Sequence, residues 1–185
     1  MRIIAGKAGR LAIKVPSAVA RPTTDFVRQA LFSILGERVD NARVLDLFAG
    51  SGALGLEALS RGAASCLFID EHRQAIQVIT ENLAKSRRLG GRVLRAEVGA
   101  FLRRDASTYD LIFADPPYMK KPGDTDLVPG LLAGEWLRPR LAADGWFIAE
   151  VGTHQPSPAA NGWSLVDRRE YGSSAILLYA PEKPT

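Results

Sequence analysis

The stretch Val44-Leu45-Asp46-Leu47-Phe48-Ala49-Gly50-Ser51-Gly52-Ala53-Leu54-Gly55 joins an apolar run to a glycine-rich loop. The run at 44–48 predicts a buried strand, and the glycines permit a tight turn into a helix that extends to about Ser60. This order of strand, glycine loop and helix is typical of α/β proteins that hold a nucleotide-like ligand at the helix N-terminus. We therefore expect a cofactor site at this turn.

The rest of the chain repeats the alternation of strand and helix. Apolar runs predict strands, and apolar residues at helical spacing predict helices. In chain order, the predicted elements are a strand at 66–70, a helix around 76–83, strands at 93–97 and 109–114, a helix at 127–136 and a strand at 146–151. Repeated βαβ units predict an α/β, Rossmann-like fold with a mainly parallel sheet and ligands at the carboxyl ends of its strands. Strands at 163–171 and 174–179 flank Gly172-Ser173 and predict a final antiparallel hairpin.

The segment before the glycine loop contains two further elements. Residues 1–20 interleave basic and apolar residues around Gly6 and Gly9, which predicts a short basic β-hairpin arm. Apolar residues at helical spacing then predict a helix with Thr24 or Asp25 as N-cap and Gly36 as its stop. At 185 residues, the chain has the length of one domain, so we expect the arm and a catalytic core at 21–185 to form a single unit.

Composition excludes several classes of protein. The longest apolar runs fall well short of the roughly 20 residues that span a bilayer, and no signal-peptide pattern is present, so we expect a cytoplasmic protein. One cysteine, Cys66, and two separated histidines, His72 and His154, predict neither a disulfide nor a metal site. Cys66 lies in an apolar run and is expected to be a small core residue.

The protein has a net charge of +4, and its basic residues cluster in two segments, residues 1–38 and 85–104. Clustered lysine and arginine favour a polyanion, because phosphate attraction is independent of sequence and can position RNA or DNA without selecting a base. Solvated surfaces that bind nothing are the alternative interpretation of the same clusters.

The glycine loop fits two cofactors. The pattern of Gly50, Gly52 and Gly55, with Asp70 ending the next strand, matches a dinucleotide site, so a NAD-dependent oxidoreductase fits this segment. Asp46 favours S-adenosylmethionine (SAM), because an acid in a buried strand is costly unless it is paired, and the methionine ammonium of SAM is a cation that NAD lacks. The predicted SAM-binding residues are Asp46, Phe48, Ala49, Gly50, Ser51, Gly52, Asp70, Glu71, Glu97 and Val98.

Glu97, at the end of the third predicted strand, is placed to accept a hydrogen bond from the adenine amine. The backbone amide of Val98 would donate to a ring nitrogen. A solvated glutamate that binds no ligand is the alternative for Glu97.

The turn Asp115-Pro116-Pro117-Tyr118 follows another apolar strand and offers groups that suit a planar amine. The Asp115 carboxylate and the Pro116 carbonyl can accept hydrogen bonds from an exocyclic amine, and the two prolines hold the turn rigid without competing N–H donors. Tyr118 can stack on a base that is flipped out or presented by a loop. With the glycine loop, these four residues predict methyl transfer from SAM to a base.

At these motifs the chain resembles the bacterial 16S rRNA guanine-N2 methyltransferases of the RsmD family. The similarity includes Met1 to Gly6, the segment from Arg21 to Asp25 and on to Phe32, the block from Val44 to Gly62, and Asp115 to Tyr118. The resemblance implies a class I SAM-dependent fold that methylates one guanine of 16S rRNA within the 30S subunit or its assembly intermediate. It also implies that Asp115, Pro116 and Tyr118 hold the base.

The residues expected to contact RNA or to border the site are Arg2, Lys7, Arg10, Arg21, Thr23, Arg28, Lys120 and Lys121. For Arg21, Thr23 and Arg28 cofactor contact, RNA contact and helix capping all remain open. Phe26 departs from the family, since many relatives carry a charged residue there.

We expect a monomer without metal. The rival functions are a DNA adenine-N6 methyltransferase of the same fold, a NAD-dependent oxidoreductase and an RNA-binding assembly factor without catalysis.

Overall fold

The structure is a computed structural model, and it describes residues 1–16, 24–86, 89–117 and 126–182. Within these ranges seven strands form one sheet, in the order β3-β2-β1-β4-β5-β7-β6. Their bounds are β1 Arg43–Leu47, β2 Ser65–Asp70, β3 Arg92–Arg95, β4 Tyr109–Ala114, β5 Leu141–Gly152, β6 Trp163–Tyr171 and β7 Ser174–Pro181. The first five strands pair in parallel, and β7 pairs antiparallel with both β5 and β6. The α/β fold and the final hairpin are therefore as the sequence predicts.

In the described part of the chain, five α-helices cover the two faces of the sheet. They are α1 Asp25–Leu35, α2 Ala53–Ser60, α3 Arg73–Ser86, α4 Val98–Arg104 and α5 Leu127–Ala133. Apolar side chains of α1, α2 and α3 share one core cluster with Val44, Phe68 and Phe113 of the sheet. Side chains of α4 and α5 share the cluster on the opposite face. This is the doubly wound arrangement that repeated βαβ units produce.

Helix α1 has the termini that its sequence predicts. Thr24 is the N-cap and its side chain accepts a hydrogen bond from the amide of Val27, while Gly36 follows the last residue with φ of 51°. A short 3-10 turn at 36–39 then leads to the start of β1, so α1 lies antiparallel to that strand. Its first turn is consequently at the carboxyl edge of the sheet, and the ring of Phe32 packs against that of Phe113 in β4.

Several boundaries differ from the prediction. The third strand ends at Arg95 and does not reach Glu97, because Glu97 caps helix α4, which periodicity did not reveal in a seven-residue segment. Strand β5 begins at Leu141, five residues earlier than its apolar run. The N-terminal arm, residues 1–16 of the described chain, turns back on itself as a hairpin with one isolated bridge, between Arg2 and Ala12. Backbone hydrogen bonds between Ile3 and Leu11 and between Ile3 and Arg10, at 2.9 and 2.8 Å, also join its two halves.

Helix α2 packs unusually close to strand β2. A Cβ atom at Gly55 would lie 2.3 Å from Cε1 of Phe68 and 2.5 Å from Sγ of Cys66, so only glycine fits there. Cys66 is buried, as predicted, and burial raises the pKa of its thiol. The third glycine of the loop thus has a packing role, since it sets the distance between this helix and the sheet.

Buried polar side chains, Glu57 and Asn82 among them, attach the N-terminal arm to the helices. Glu57 of α2 is fully buried, and its carboxylate accepts hydrogen bonds from the amides of Ile4 and Ala5, at 2.7 and 3.1 Å, and from Nε of Arg61 at 2.7 Å. Asn82 of α3 is also fully buried; its amide accepts from the backbone N–H of Lys14 and donates to the carbonyl of the same residue. The arm therefore forms part of the folded core.

Replacing Gly55 by alanine should destabilise the protein by about 1–3 kcal/mol, because the added methyl group forces apart α2 and β2. Urea unfolding followed by circular dichroism measures the change. Gly130→Ala is the matched control, since nothing lies within 4 Å of that position in helix α5. It should stabilise by about 0.5–1 kcal/mol through helix propensity. Equal stability of the two variants would contradict the packing role.

Replacing Glu57 by alanine should cost about 3 kcal/mol, because it leaves two backbone amides and the Arg61 guanidinium without their acceptor. The melting temperature should fall by several degrees. Glu81→Ala is the control: Glu81 also joins the arm to a helix, through a 2.5 Å ion pair with Lys14, but both side chains are exposed. Exposed ion pairs contribute little to the free energy of unfolding, so this variant should keep the melting temperature of the unaltered protein. A comparable fall in melting temperature in both variants would show that the burial of Glu57 does not explain its contribution to stability.

Candidate active site

The glycine loop and the Asp-Pro-Pro turn start side by side. Strands β1 and β4 are neighbours in the sheet, and Leu47 at the end of β1 pairs with Ala114 at the end of β4. The residues that follow, Phe48 and Asp115, therefore leave adjacent strands at the same edge, with the strands about 4.8 Å apart. The strand order also reverses direction here, since β1 leads outward to β2 and β3 while β4 leads to β5. Ligands of open α/β sheets bind at this kind of crevice.

The loop itself has an unusual backbone. Phe48, Gly50 and Gly52 have φ angles of 58°, 55° and 76°, so every second residue adopts the left-handed conformation. Glycine accepts that conformation without cost, whereas Phe48 does not, and a non-glycine residue there is retained only when its surroundings enforce it. The carbonyl of Ile69 accepts a hydrogen bond from the amide of Ala49 at 3.0 Å and anchors this strained turn to β2.

Two buried carboxylates hold the loop at its two ends. Asp46, in β1, accepts a hydrogen bond from the amide of Gly55 at 2.9 Å. Asp70, at the end of β2, accepts from the amide of Gly50 at 2.9 Å and from the amide of His72 at 2.8 Å. A carboxylate has about four acceptor sites, so both acids retain acceptor capacity beyond these bonds.

Burial raises the pKa of Asp46 to about 8, since the charged form is desolvated; the amide of Gly55 opposes this shift and the nearby charge of Asp70 adds to it. Within the described part of the chain no lysine or arginine forms an ion pair with Asp46. An acid left in the core in this way suits a cationic ligand group, whose charge would favour the ionised carboxylate.

The remaining residues predicted to bind the cofactor differ in their surroundings. Glu71 is exposed beside Asp70, and its carbonyl accepts from Nε of Arg95. Glu97 is exposed and is the N-cap of α4: its two carboxylate oxygens accept from the amides of Gly99 and Ala100, each at 2.6 Å. Capping is thus the interaction that the structure shows for Glu97, and a contact with adenine stays a prediction. Val98 is buried in the first turn of the same helix.

The turn that is predicted to be catalytic lies directly beyond β4. Asp115 is half-buried, Pro116 is buried and Pro117 is exposed. Asp115 therefore lies at the crevice, and Pro116 lies against the core. Tyr118 lies outside the described residues, as do Arg21, Thr23, Lys120 and Lys121, so their predicted roles stay predictions.

Three of the four described residues expected to contact RNA are exposed: Arg2, Lys7 and Arg10. The fourth, Arg28, is fully buried; one Nη nitrogen donates to the carbonyl of Arg2 and to the carboxylate of Asp25, both at 2.7 Å. The prediction of an RNA contact for Arg28 is therefore wrong, because a side chain on the inner face of α1 does not reach a macromolecule in solvent.

The connection between the arm and the glycine loop was not predicted from the sequence. The amide of Asn82 donates at 3.0 Å to the carbonyl of Ser51 as well as to that of Lys14, and the hydroxyl of Ser51 lies 3.8 Å from the sulfur of Met1. One end of the arm therefore contacts the glycine loop directly through Met1, and the other end is joined to the loop through Asn82. A polar residue on the buried face of an amphipathic helix was the available signal, since Asn82 lies three residues from Ile79.

No group of acidic, histidine or cysteine side chains in the described ranges has the arrangement of a metal site. None of the helices in those ranges is both long and apolar enough to cross a membrane.

Comparison with known proteins identifies relatives over nearly the whole chain. The "Ribosomal RNA small subunit methyltransferase D" of Escherichia coli K12 is 36% identical over 190 residues, which cover 98% of this chain and 90% of that protein. The "Putative rRNA methyltransferase YlbH" of Bacillus subtilis is 36% identical over 97% of this chain and 98% of its own. A solved structure, "Putative methyltransferase yhhF from Escherichia coli", has a TM-score of 0.83 at 35% identity and covers 98% of both chains.

A family model described as "Conserved hypothetical protein 95" matches residues 1–180. This match spans both the arm and the sheet, and it includes the glycine loop and the Asp-Pro-Pro turn. With the relatives above, it confirms the resemblance that the sequence motifs carry. The chain belongs to this family, the RsmD family of methyltransferases.

Proposed function

We propose that the protein is a SAM-dependent methyltransferase that modifies the exocyclic N2 amine of a guanine in 16S rRNA. The observation that carries the proposal is the adjacency of the glycine loop and the Asp-Pro-Pro turn at the ends of β1 and β4. The names of the relatives, an rRNA small subunit methyltransferase among them, support rRNA as the substrate. A NAD-dependent oxidoreductase is disfavoured by the same relatives.

The residues at the loop fit SAM. Asp46 supplies a buried carboxylate for the methionine ammonium, and the N-terminal turn of α2 suits the methionine carboxylate. Asp70, at the end of β2, has the position of a ribose acceptor. When bound, SAM supplies a methyl group that its positive sulfur has already activated.

The protein's own task is then to hold the nucleophile and to exclude water. The Asp115 carboxylate accepts a hydrogen bond from the guanine amine, and the Pro116 carbonyl accepts a second one. Both bonds orient the nitrogen and draw its lone pair out of conjugation with the ring. Asp115 does not have to take up the proton before attack, because the amine loses it readily once it is methylated.

We propose that residues 1–20 act as an RNA-binding arm and residues 21–185 as the catalytic core, and that the protein works as a monomer in the cytoplasm. Lys7 and Arg10 lie at the turn of the arm, where Ser60 at the end of α2 accepts from the amide of Lys7. This turn is about 12 Å from the glycine loop along the eight residues of α2. The arm would therefore contact rRNA beyond the target guanine, within the 30S subunit or its assembly intermediate.

Asp115→Asn should lower the rate of methyl transfer at least a hundredfold, roughly the effect of removing one preorganised charged group, and should leave SAM affinity unchanged. The assay incubates under-methylated 30S subunits with tritiated SAM and maps the modified base by mass spectrometry, and calorimetry measures SAM binding. Asp110→Asn is the control, because Asp110 is the second residue of the same strand and pairs with Arg43 at the opposite edge. Methylation of adenine in DNA, or full activity of Asp115→Asn, would contradict the proposal.

SAM binding should release a proton at pH 7 and tighten as the pH rises from 6 to 7.5. The pKa of Asp46 in the free protein is about 8, and a bound ammonium lowers it, so affinity grows with pH until the free carboxyl is ionised. The slope approaches tenfold per pH unit at most. Calorimetry in buffers with different ionisation enthalpies detects the proton. Asp46→Asn keeps an acceptor for Gly55 and should show no release; identical behaviour of both proteins would count against an Asp46–ammonium contact.

A further inference from the structure

Two aromatic side chains, those of Phe26 and Tyr171, are in contact at the protein surface at one edge of the sheet. Phe26, in the first turn of α1, is 68% exposed, the largest exposure among the large apolar side chains of the described residues. Tyr171, at the end of β6, is half-buried, and its ring lies edge-on to that of Phe26 with the centroids 5.8 Å apart. We call Phe26 and Tyr171 the aromatic pair.

The aromatic pair lies at the same edge as the active site. Tyr171 pairs with Ser174, which in turn pairs with Gly152 at the carboxyl end of β5, so the tip of the final hairpin is at this edge. Helix α1 runs antiparallel to β1, and its first turn brings Phe26 to the edge from the face that also carries Asp46 and Phe113.

The separation from the catalytic turn follows from the pairing of the strands. Ala114 pairs with Ala149, so Asp115 is level with Glu150, which pairs with Ile176 and through it with Arg169 in β6. Three strand spacings separate β4 from β6, about 14 Å, and Tyr171 lies two residues beyond Arg169. The aromatic pair is thus close enough for a nucleotide near the target guanine, and too far for the guanine itself.

Cations flank the two rings. Arg2 has a 65% exposed side chain and binds Asp25, the residue before Phe26. Arg169 has a 58% exposed side chain, lies on the same face of β6 as Tyr171 and binds Asp167. Each guanidinium has five N–H donors, so each can bind a phosphate as well as its acidic partner. Exposed aromatic faces between arginines match single-stranded RNA, in which bases stack while phosphates bind cations.

We propose that the aromatic pair is a stacking platform for an unpaired rRNA base close to the methylated guanine. This rests on the proposed function. Phe26 offers its exposed ring to the base, Tyr171 holds that ring in place, and Arg2 and Arg169 bind the neighbouring phosphates. The platform would fix the RNA strand at a second point and so help to present the guanine at Asp115.

The test compares variants of Phe26 in methylation of under-methylated 30S subunits. Phe26→Ala should raise the KM for 30S subunits about five- to a hundredfold, the range expected for the loss of one base–aromatic stack. Phe26→Tyr keeps a ring and should retain the KM of the unaltered protein, whereas Phe26→Leu, apolar but not aromatic, should behave like Phe26→Ala. Tyr171→Ala should raise the same KM. The KM for SAM and the melting temperature should stay unchanged in the Phe26 variants.

Trp136→Ala is the matched control, because Trp136 is a 43% exposed aromatic side chain that precedes β5 at the opposite edge of the sheet. It should leave the KM for 30S subunits unchanged. An unaltered KM in Phe26→Ala and Tyr171→Ala, or an equal rise in Trp136→Ala, would overturn the platform while leaving the proposed function intact. Absence of guanine methylation by the unaltered protein would overturn the proposed function instead.

Discussion

The loop between β1 and α2 depends on two buried carboxylates that accept hydrogen bonds from its backbone. Asp46 holds the amide of Gly55 and Asp70 holds that of Gly50, so the two ends of the loop are fixed to neighbouring strands. A loop with left-handed residues at 48, 50 and 52 is not stable by itself, because its conformation is rarely favoured by the local sequence. The surrounding sheet supplies the constraint, and the crevice beside β4 exists as a result.

The arm adds a second constraint on the same loop. Asn82 joins the carbonyl of Ser51 to the backbone of Lys14, and Glu57 holds the other strand of the arm through two amides. Buried polar groups of this kind must keep all their partners, because a lost partner leaves a desolvated group behind. The basic arm and the glycine loop are therefore held in one arrangement, so the surface that carries Lys7 and Arg10 keeps a fixed position relative to the crevice.

Asp46, which holds the loop through Gly55, is also the residue proposed to bind the SAM ammonium. Asp46 is retained in the core without a protein cation in the described residues, and the cost of burying it appears as a pKa of about 8. A hydrophobic residue would cost less free energy to bury, but it would bind neither the amide of Gly55 nor a ligand ammonium. Glu97 differs from Asp46, because its two carboxylate oxygens accept hydrogen bonds from the first turn of α4. Its position two residues after the end of β3 therefore reflects helix capping.

The amino-acid sequence alone determined the α/β alternation, the caps of α1, the final hairpin and the two motif turns, because these follow from local periodicity and from the properties of glycine and proline. The structure added the pairing of β1 with β4, which places Phe48 beside Asp115 although they are distant in the chain. Tertiary contacts also decided that Arg28 is buried and that Glu57 and Asn82 hold the arm. A charged residue in an amphipathic helix does not reveal which partner it meets, since burial depends on segments that pack together only after the chain has folded.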